Sequence, residues 1–130
     1  MRESFELRVT FNVKPSVIYE AWLNSEEHSK MTGGEANCSH QIGGTFFAWD
    51  HYISGTNKSL KNNEEIIQSW RTEEFKETDE DSELIIKLKE VKDGCELTLI
   101  HTNIPEAQTQ YKQGWIDNYF TPMKNYFAES

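Results

Sequence analysis

The sequence lacks any long apolar run. No segment approaches the roughly 18 consecutive apolar residues of a membrane span, and the first four residues, Met1 to Ser4, lead into an alternating pattern rather than an apolar signal segment. Cysteine is scarce as well: Cys38 and Cys95 could pair, but two thiols in a chain that is not secreted are more often reduced. We therefore predict a cytoplasmic protein without membrane insertion and without a structural disulfide.

Basic residues are outnumbered by acidic ones. The chain has 13 Lys and Arg against 22 Asp and Glu, a formal net charge of -9. A surface of this sign repels duplex nucleic acid and anionic lipid on average, so we expect neither as a partner. The length of 130 residues fits one core, and no repeat, low-complexity tract or linker divides the chain. We predict that residues 1–130 form a single domain.

Motifs that would carry a reaction or hold a cofactor are also missing. Nothing resembles a nucleophile elbow, a phosphate-binding glycine loop or a dinucleotide fingerprint. Cys-x-His is not a zinc signature, and no second pair completes a tetrahedron, although metal-ligand residue types do occur at Cys38, His40, Asp50 and His51. Cys95 and His101 would lie about 20 Å apart on one strand, which excludes a Cys–His nucleophilic pair. We expect no metal, no cofactor and no assigned catalytic residue.

The chain opens with a strand pattern followed by signals for two short helices. Apolar residues with a two-residue period predict a strand with one buried face, made of Phe5, Leu7, Val9 and Phe11. Pro15 suits the first position of a helix that continues to Leu23. Ser25, followed by two glutamates, predicts the hydroxyl cap of a second helix that ends near Gly33-Gly34.

Strands and turns follow from Glu35 to Asn103. Turn signals fall at Gly43-Gly44 before a strand from Thr45 to Asp50, at Ser54-Gly55 as a bulge or bend, at Asn62-Asn63, and at Asp93-Gly94 as a two-residue hairpin turn. The last two strands present two inward rows that face each other, namely Leu84, Ile86 and Leu88 opposite Cys95, Leu97, Leu99 and His101. Seven acids between Glu73 and Glu83 predict a solvated loop. Arg71 alternates to the outer face if Trp70 points inward, which predicts a surface ion pair rather than a binding residue.

The last quarter of the chain, Pro105 to Phe127, has an aromatic stripe. Residues recur every fourth position on one helix face, namely Tyr111, Trp115, Tyr119, Met123 and Phe127, and the stripe is widened by Phe120 and Tyr126. Each aromatic side chain buries about 150–250 Å², so this face needs a concave partner. Pro122 predicts a kink, and Gly114 predicts a close approach of the backbone to another element.

The element order predicts the fold class. One strand, two short helices, about six strands and a long helix indicate an α+β protein. Short connections make the strands an antiparallel meander, and the first strand joins its edge so that the curved sheet of about six to seven strands wraps around the last helix. This is a helix-grip arrangement.

The sequence also resembles a known family. The segments IGGTFFAWDHYISGTNKSLKNNEEIIQSWRTEEF, LTLIHTNIP and YKQGWIDNYFTPMKNYF are similar to the C-terminal domain of the activators of the 90-kilodalton heat-shock protein ATPase. The resemblance implies the START-like (SRPBCC) helix-grip superfamily, whose members include lipid carriers and chaperone regulators. It implies chaperone contact only weakly, because the eukaryotic activators make their main contact through a separate N-terminal domain that has no counterpart in this sequence.

Three functional hypotheses remain. The first is an intracellular binding module with a cavity between sheet and helix that takes a small apolar or amphipathic molecule. The candidate cavity residues are Trp22, Phe46, Trp70, Ile86, Leu97, His101, Trp115, Tyr119 and Met123. Ordinary core packing explains this set equally well, and His101 fits either a core histidine or a ligand anchor or proton donor. The alternatives are a stress-response chaperone-interaction module and, third, a small cyclase or hydrolase.

Oligomeric state is left open by the sequence. An exposed strand edge, or the face that carries Trp49, would support a weak dimer. We expect a monomer or a weak dimer.

Overall fold

Six antiparallel strands form one curved sheet in a computed structural model that describes residues 3–106 and 108–128. The strands are β1 Glu3–Phe11, β2 Thr45–Ala48, β3 Ile53–Lys61, β4 Glu65–Thr72, β5 Ser82–Val91 and β6 Gly94–Ile104. Their spatial order is β1-β6-β5-β4-β3-β2, so β2 to β6 are a meander and the first strand joins the last. The predicted α+β helix-grip fold is confirmed, including the position of the first strand.

Two short helices follow β1; the first contacts β5 and β6, and the second contacts the C-terminal helical part of the chain. Helix α1 spans Pro15–Leu23 and begins at its proline as predicted, and α2 spans Ser25–Thr32. The predicted cap of α2 is wrong by one residue, because the Asn24 side chain accepts the Glu27 backbone N–H at 2.9 Å. Ser25 instead accepts the Cys38 backbone N–H at 2.8 Å, which ties α2 to the loop before β2.

The turns correct two predictions. Strand β3 runs straight through Gly55, and its register shift lies between Asn57 and Ser59 instead. In the last hairpin the two turn residues are Lys92 and Asp93, because Gly94 already pairs with Val91. Asp93 supplies the left-handed conformation of that turn, with a φ of 67°.

The inward rows of β5 and β6 form the centre of the core. Leu84 lies opposite His101, Ile86 opposite Leu99, and Leu88 opposite Leu97. All six side chains are buried, as the period-two alternation predicts. On β1, Phe11 is buried and the other three apolar residues of its inner face are half-buried against the same core.

The aromatic stripe lies on a helical segment made of three parts. These are α3 Tyr111–Trp115, a π turn Ile116–Phe120 and α4 Thr121–Ala128. All five stripe residues are buried, with no more than 6% of any of them exposed. The irregularity predicted as a kink at Pro122 is a π turn in the preceding residues, where the Thr121 N–H donates to the Ile116 carbonyl.

The π turn explains the spacing of the stripe. Four residues of α-helix rotate through about 400°, so a strict four-residue spacing drifts by about 40° at each step. Five residues at this spacing would wind around a regular helix. The wider π turn offsets the drift and keeps Tyr111 and Phe127, which are 16 positions apart in the sequence, against the sheet.

The acidic segment between β4 and β5 is an exposed loop, as predicted, with Phe75 buried beneath it. Arg71 forms the predicted ion pair, with its Nη1 2.7 Å from the Asp81 carboxylate. The same guanidinium donates to the Lys76 and Asp79 carbonyls and lies 5.4 Å from the centre of the Phe75 ring. The Arg71 guanidinium therefore organises this mainly acidic loop.

Candidate functional site

A cavity opens between strands β3 and β4 and the C-terminal helical segment. Its volume is about 300 Å³, at the lower end of the range of small-molecule sites. Six of the nine lining residues are aromatic, and the full set is Trp49, Tyr52, Ile53, Trp70, Tyr111, Gly114, Trp115, Asn118 and Tyr119. No lysine, arginine or histidine is among them.

Three of the nine residues predicted for a cavity line it, namely Trp70, Trp115 and Tyr119. The other six are buried behind this wall or elsewhere in the core, namely Trp22, Phe46, Ile86, Leu97, His101 and Met123. Trp22 stacks behind Trp115 with ring centres 6.1 Å apart, and His101 meets the Trp70 ring edge-on at 4.5 Å. From the sequence, these nine residues could either line a pocket or fill the core. In the structure three of them line the cavity and the other six are core residues.

The sequence predicted that Trp49 lies on a face that would support a weak dimer. It is half-buried in the cavity wall rather than on an exposed face that could support a dimer. The strand predicted to continue to Asp50 ends at Ala48. Trp49, Asp50 and His51 then follow with φ angles of 52°, 58° and 77°. None of them is glycine, and the strand pattern that leads into them gives no sign of this left-handed turn.

His101 is the central polar residue of the layer behind the cavity. It is fully buried; its Nδ1 accepts the Trp115 indole N–H at 3.1 Å, and its Nε2 lies 2.8 Å from the Ser82 hydroxyl. An indole N–H can only donate, so Nε2 carries the proton and donates to Ser82, whose hydroxyl donates to the Trp70 carbonyl at 2.6 Å. Burial lowers the pKa of His101 to about 3. The residue is a satisfied, neutral core histidine, and neither ring nitrogen is available to a ligand.

His28 has an equivalent position behind Tyr119. Its Nδ1 donates to the Trp22 carbonyl at 2.8 Å, and its Nε2 accepts the Tyr119 hydroxyl at 2.7 Å. Burial lowers the pKa of His28 to about 4, although the hydrogen bond to Trp22 acts in the opposite direction. No sequence pattern pointed to His28, because it lies in the polar segment SEEHSKMT, which gives no sign of a buried face.

A second buried polar chain fixes the loop before β2. The Trp22 indole donates to Gln68 at 3.4 Å, and the Gln68 amide donates to Asn57 at 2.9 Å. Asn57 then donates to the carbonyls of Ser39 and Gln41. Asn57 is 1% exposed and precedes the register shift in β3, so a buried amide, rather than a glycine, marks the irregular point of that strand.

The mouth of the cavity is more polar than its walls. The Tyr52 hydroxyl donates to the Glu74 carboxylate, which also accepts the Gln110 amide at 3.1 Å. The Tyr111 hydroxyl donates to Gln108 at 2.7 Å and lies 2.7 Å from the Thr72 hydroxyl. Burial raises the pKa of Tyr111 above its usual value, so this phenol stays protonated. The Glu74 carboxylate therefore lies next to the lining, bonded to the hydroxyl of the lining residue Tyr52.

Gly114 leaves the helical side of the mouth open. The close backbone approach predicted for it is absent, because an added Cβ would meet only the Asn118 side chain, at 3.9 Å. The glycine thus removes a side chain from the lining rather than making room for another element.

The cysteines and histidines do not form a metal site within the described part of the chain. No group of three or more His, Cys, Asp or Glu residues there could hold an ion. Cys38 and Cys95 are both free thiols. Burial raises the pKa of Cys38 to about 12, so its thiol is unreactive at neutral pH. Across residues 3–106 and 108–128, no helix is long and apolar enough to span a bilayer.

Comparison with known proteins gives a consistent result. A curated relative, the activator of 90 kDa heat shock protein ATPase homolog of Dictyostelium discoideum, is 23% identical over 129 residues. The match covers 98% of this chain and 34% of that protein, so the chain spans about a third of its relative's length.

Solved structures share the fold. An HSP90 activator from Plasmodium falciparum superposes with a TM-score of 0.88 at 23% identity, over 96% of both chains. The Aha1 dimer from Colwellia psychrerythraea gives a TM-score of 0.81 at 15% identity, again over 96% of both chains. The family model described as activator of Hsp90 ATPase homolog 1-like protein matches residues 12–128. Because this match covers most of the sequence, we conclude that the chain belongs to that family.

Proposed function

We propose that this chain binds a small, largely apolar molecule with one polar end in the cavity between the sheet and the C-terminal helical segment. The observation that supports this function is the cavity of about 300 Å³ with six aromatic walls. Burial of apolar ligand surface against such walls is the main source of affinity in sites of this kind.

The walls are held in place from behind. Trp115 is fixed by His101, Tyr119 by His28, and Tyr111 by Gln108 and Thr72. Each bond occupies the polar tip of an aromatic residue and leaves its ring surface for the cavity. The site therefore needs little ordering when a ligand enters, which favours affinity.

A substitution at Gly114 tests this proposal. In Gly114→Leu the new side chain is expected to occupy the mouth, because only Asn118 lies within 4 Å of the added Cβ. The neutral dye N-phenyl-1-naphthylamine, which fluoresces in apolar sites, is expected to bind the unaltered protein and to lose at least about tenfold in affinity for the variant, the equivalent of about 1.4 kcal/mol. Fluorescence titration measures this loss.

Lys112→Leu is the matched control, because Lys112 is an exposed residue of the same helix that does not line the cavity. It adds the same apolar side chain and is expected to leave dye affinity unchanged. Equal dye binding by all three proteins, or no dye binding by the unaltered protein, would contradict the proposal.

A second candidate function is contact with the 90-kilodalton heat-shock ATPase, which the family and the names of its relatives favour. With a net charge of -9, the chain would meet a basic surface of the chaperone, and salt would weaken that contact. A pull-down with the purified ATPase is expected to retain the chain at low salt and less of it at physiological salt. If the chain is absent from the bound fraction at both salt concentrations, contact with the chaperone is excluded as a function.

A further inference from the structure

Trp49 differs from Trp22 and Trp115, which also pack around the cavity. Trp22 donates its indole N–H to Gln68, and Trp115 donates its own to His101. The Nε1 atom of Trp49 is buried and has no acceptor among the residues that the structure describes. A buried donor without a partner is unfavourable, and most such groups in folded proteins have one. The Trp49 N–H is therefore a buried donor that the described residues leave unengaged, in a residue that lines the cavity.

The position of the Trp49 ring is set by its surroundings. The left-handed turn of residues 49–51 carries the indole into the cavity wall. Gly34 lies against the Cδ2 and Cε3 side of the ring, where an added Cβ would come within 2.7 Å of Cδ2. Nε1 belongs to the other long edge of the indole. The N–H is thus part of a ring that is packed on one side and borders the cavity.

The phenol hydroxyls of the cavity are already engaged. Tyr119 donates to His28, Tyr111 to Gln108, and Tyr52 to Glu74. Asn118 contributes an exposed amide at the mouth. Trp49 Nε1 is the buried side-chain nitrogen that has no partner among the described residues, so its N–H is free to donate to a polar group that enters the cavity.

The charged groups around the cavity determine which kind of hydrogen-bond acceptor on a ligand is favourable. The lining contains no cationic side chain, and the Glu74 carboxylate accepts the hydroxyl of Tyr52, a lining residue. A ligand carboxylate would lose its hydration without gaining a counter-ion, close to a like charge. A carbonyl oxygen of a ketone, ester or amide accepts one hydrogen bond without that penalty.

We propose that the Trp49 indole N–H donates to the ligand's polar end, and that this end is an uncharged acceptor oxygen. This inference rests on the proposed function of the cavity. It makes Trp49 the residue that selects neutral acceptor-bearing molecules over hydrocarbons and over carboxylates of the same shape.

Three probes of one shape test it. They are 2-acetylnaphthalene, its isostere 2-isopropenylnaphthalene without the oxygen, and the anion 2-naphthoate. The four tryptophans give four indole N–H resonances in a ¹H–¹⁵N spectrum, in which Trp70 and Trp115 report occupation of the cavity. The ketone is expected to move the Trp49 N–H proton downfield and to bind about tenfold more tightly than the isostere, because the isostere leaves a buried donor unpaired.

Trp49→Phe keeps an aromatic ring but removes the donor. The ratio of ketone to isostere affinity is expected to fall from about ten to about one. Tyr52→Phe is the matched control, since it removes a hydroxyl that already donates to Glu74, and it is expected to keep the tenfold preference. If Trp49→Phe fails to fold, the Trp49 resonance of the unaltered protein, assigned through bonds, gives the answer alone.

The outcomes separate the two proposals. Equal binding of ketone and isostere, with Trp70 and Trp115 shifted and Trp49 unmoved, would overturn the role of Trp49 and leave cavity binding intact. Tighter binding of naphthoate than of the ketone would overturn the uncharged acceptor. If none of the probes moves any cavity tryptophan, both this inference and cavity binding of such molecules are overturned.

Discussion

At pH 5 the protein is expected to be about 3–4 kcal/mol less stable to unfolding than at pH 7, because His28 and His101 are buried in neutral form. Burial lowers the pKa of His28 to about 4 and that of His101 to about 3. Both values lie below the unfolded value of about 6.5. As the pH falls, the unfolded chain therefore takes up protons first, and each histidine favours unfolding.

The pH window follows from these pKa values. The stabilising contribution is complete above about pH 7, and it is lost from about pH 6.5 downwards until the folded values are reached. Each histidine contributes about 2 kcal/mol of the loss between pH 7 and pH 5. The hydrogen-bond partners of the two rings are Trp22, Tyr119, Ser82 and Trp115, none of which carries a charge that would hold an imidazolium in the core.

Urea unfolding at pH 7, 6 and 5 measures this effect. His28→Gln and His101→Gln are each expected to halve the loss of unfolding free energy, whatever they do to stability at pH 7. A free energy of unfolding that is flat between pH 7 and 5, or a pH slope that neither substitution changes, would show that these histidines are not buried neutral.

The second large effect is expected from Gly55→Ala, which should destabilise the protein by about 3 kcal/mol. An added Cβ would overlap the Ser69 backbone carbonyl oxygen and come within 2.7 and 2.8 Å of two atoms of the Phe46 ring. Backbone atoms of the neighbouring strand cannot move aside without disturbing the pairing of β3 with β4. The strain must therefore be taken up by the sheet.

Gly114→Ala is the matched comparison, because it adds the same methyl group where only Asn118 lies within 4 Å. It should stabilise the protein by about 0.5–1 kcal/mol, since glycine is a poor helix former. Thermal and urea unfolding of both variants measure whether each substitution raises or lowers the free energy of unfolding. Destabilisation by both would mean that the helix backbone approaches the sheet at Gly114 as closely as β3 approaches β4 at Gly55.

The sequence predicted those features that periodicity determines. The facing rows of β5 and β6 and the aromatic stripe from Tyr111 to Phe127 are repeated patterns, and burial of one face follows from each of them. Trp115 and Tyr119 were placed in the candidate cavity as members of the stripe, and Trp70, which belongs to neither pattern, as one of the large aromatic side chains of the chain. Periodicity shows which face of an element is buried, but not how far a side chain lies from the cavity. The residues that line the cavity could therefore not be distinguished from those that pack behind them.

The rest of the site depends on contacts between distant segments. Trp49 is in the wall because three residues without glycine take left-handed conformations, and the surrounding fold holds them there. Asn24 and Ser25 are both good helix caps, and the choice between them follows from the bond of Ser25 to Cys38. His28 is buried because Tyr119, 91 positions further along the chain, covers it. No window of local sequence contains any of these partners.

The π turn before Pro122 is a place where the chain could lose one residue without a change of fold. Removing one residue from Ile116–Phe120 would give a regular α-helix, and α3 and α4 would still turn the same faces toward the sheet. The proline would then press against the carbonyl four positions earlier, so the deletion is compatible with the fold only if Pro122 is replaced as well. Relatives that differ by one residue here should therefore differ at the proline too. In an alignment of the family, a paired gap and proline loss would indicate members whose cavity is bordered by a different set of side chains.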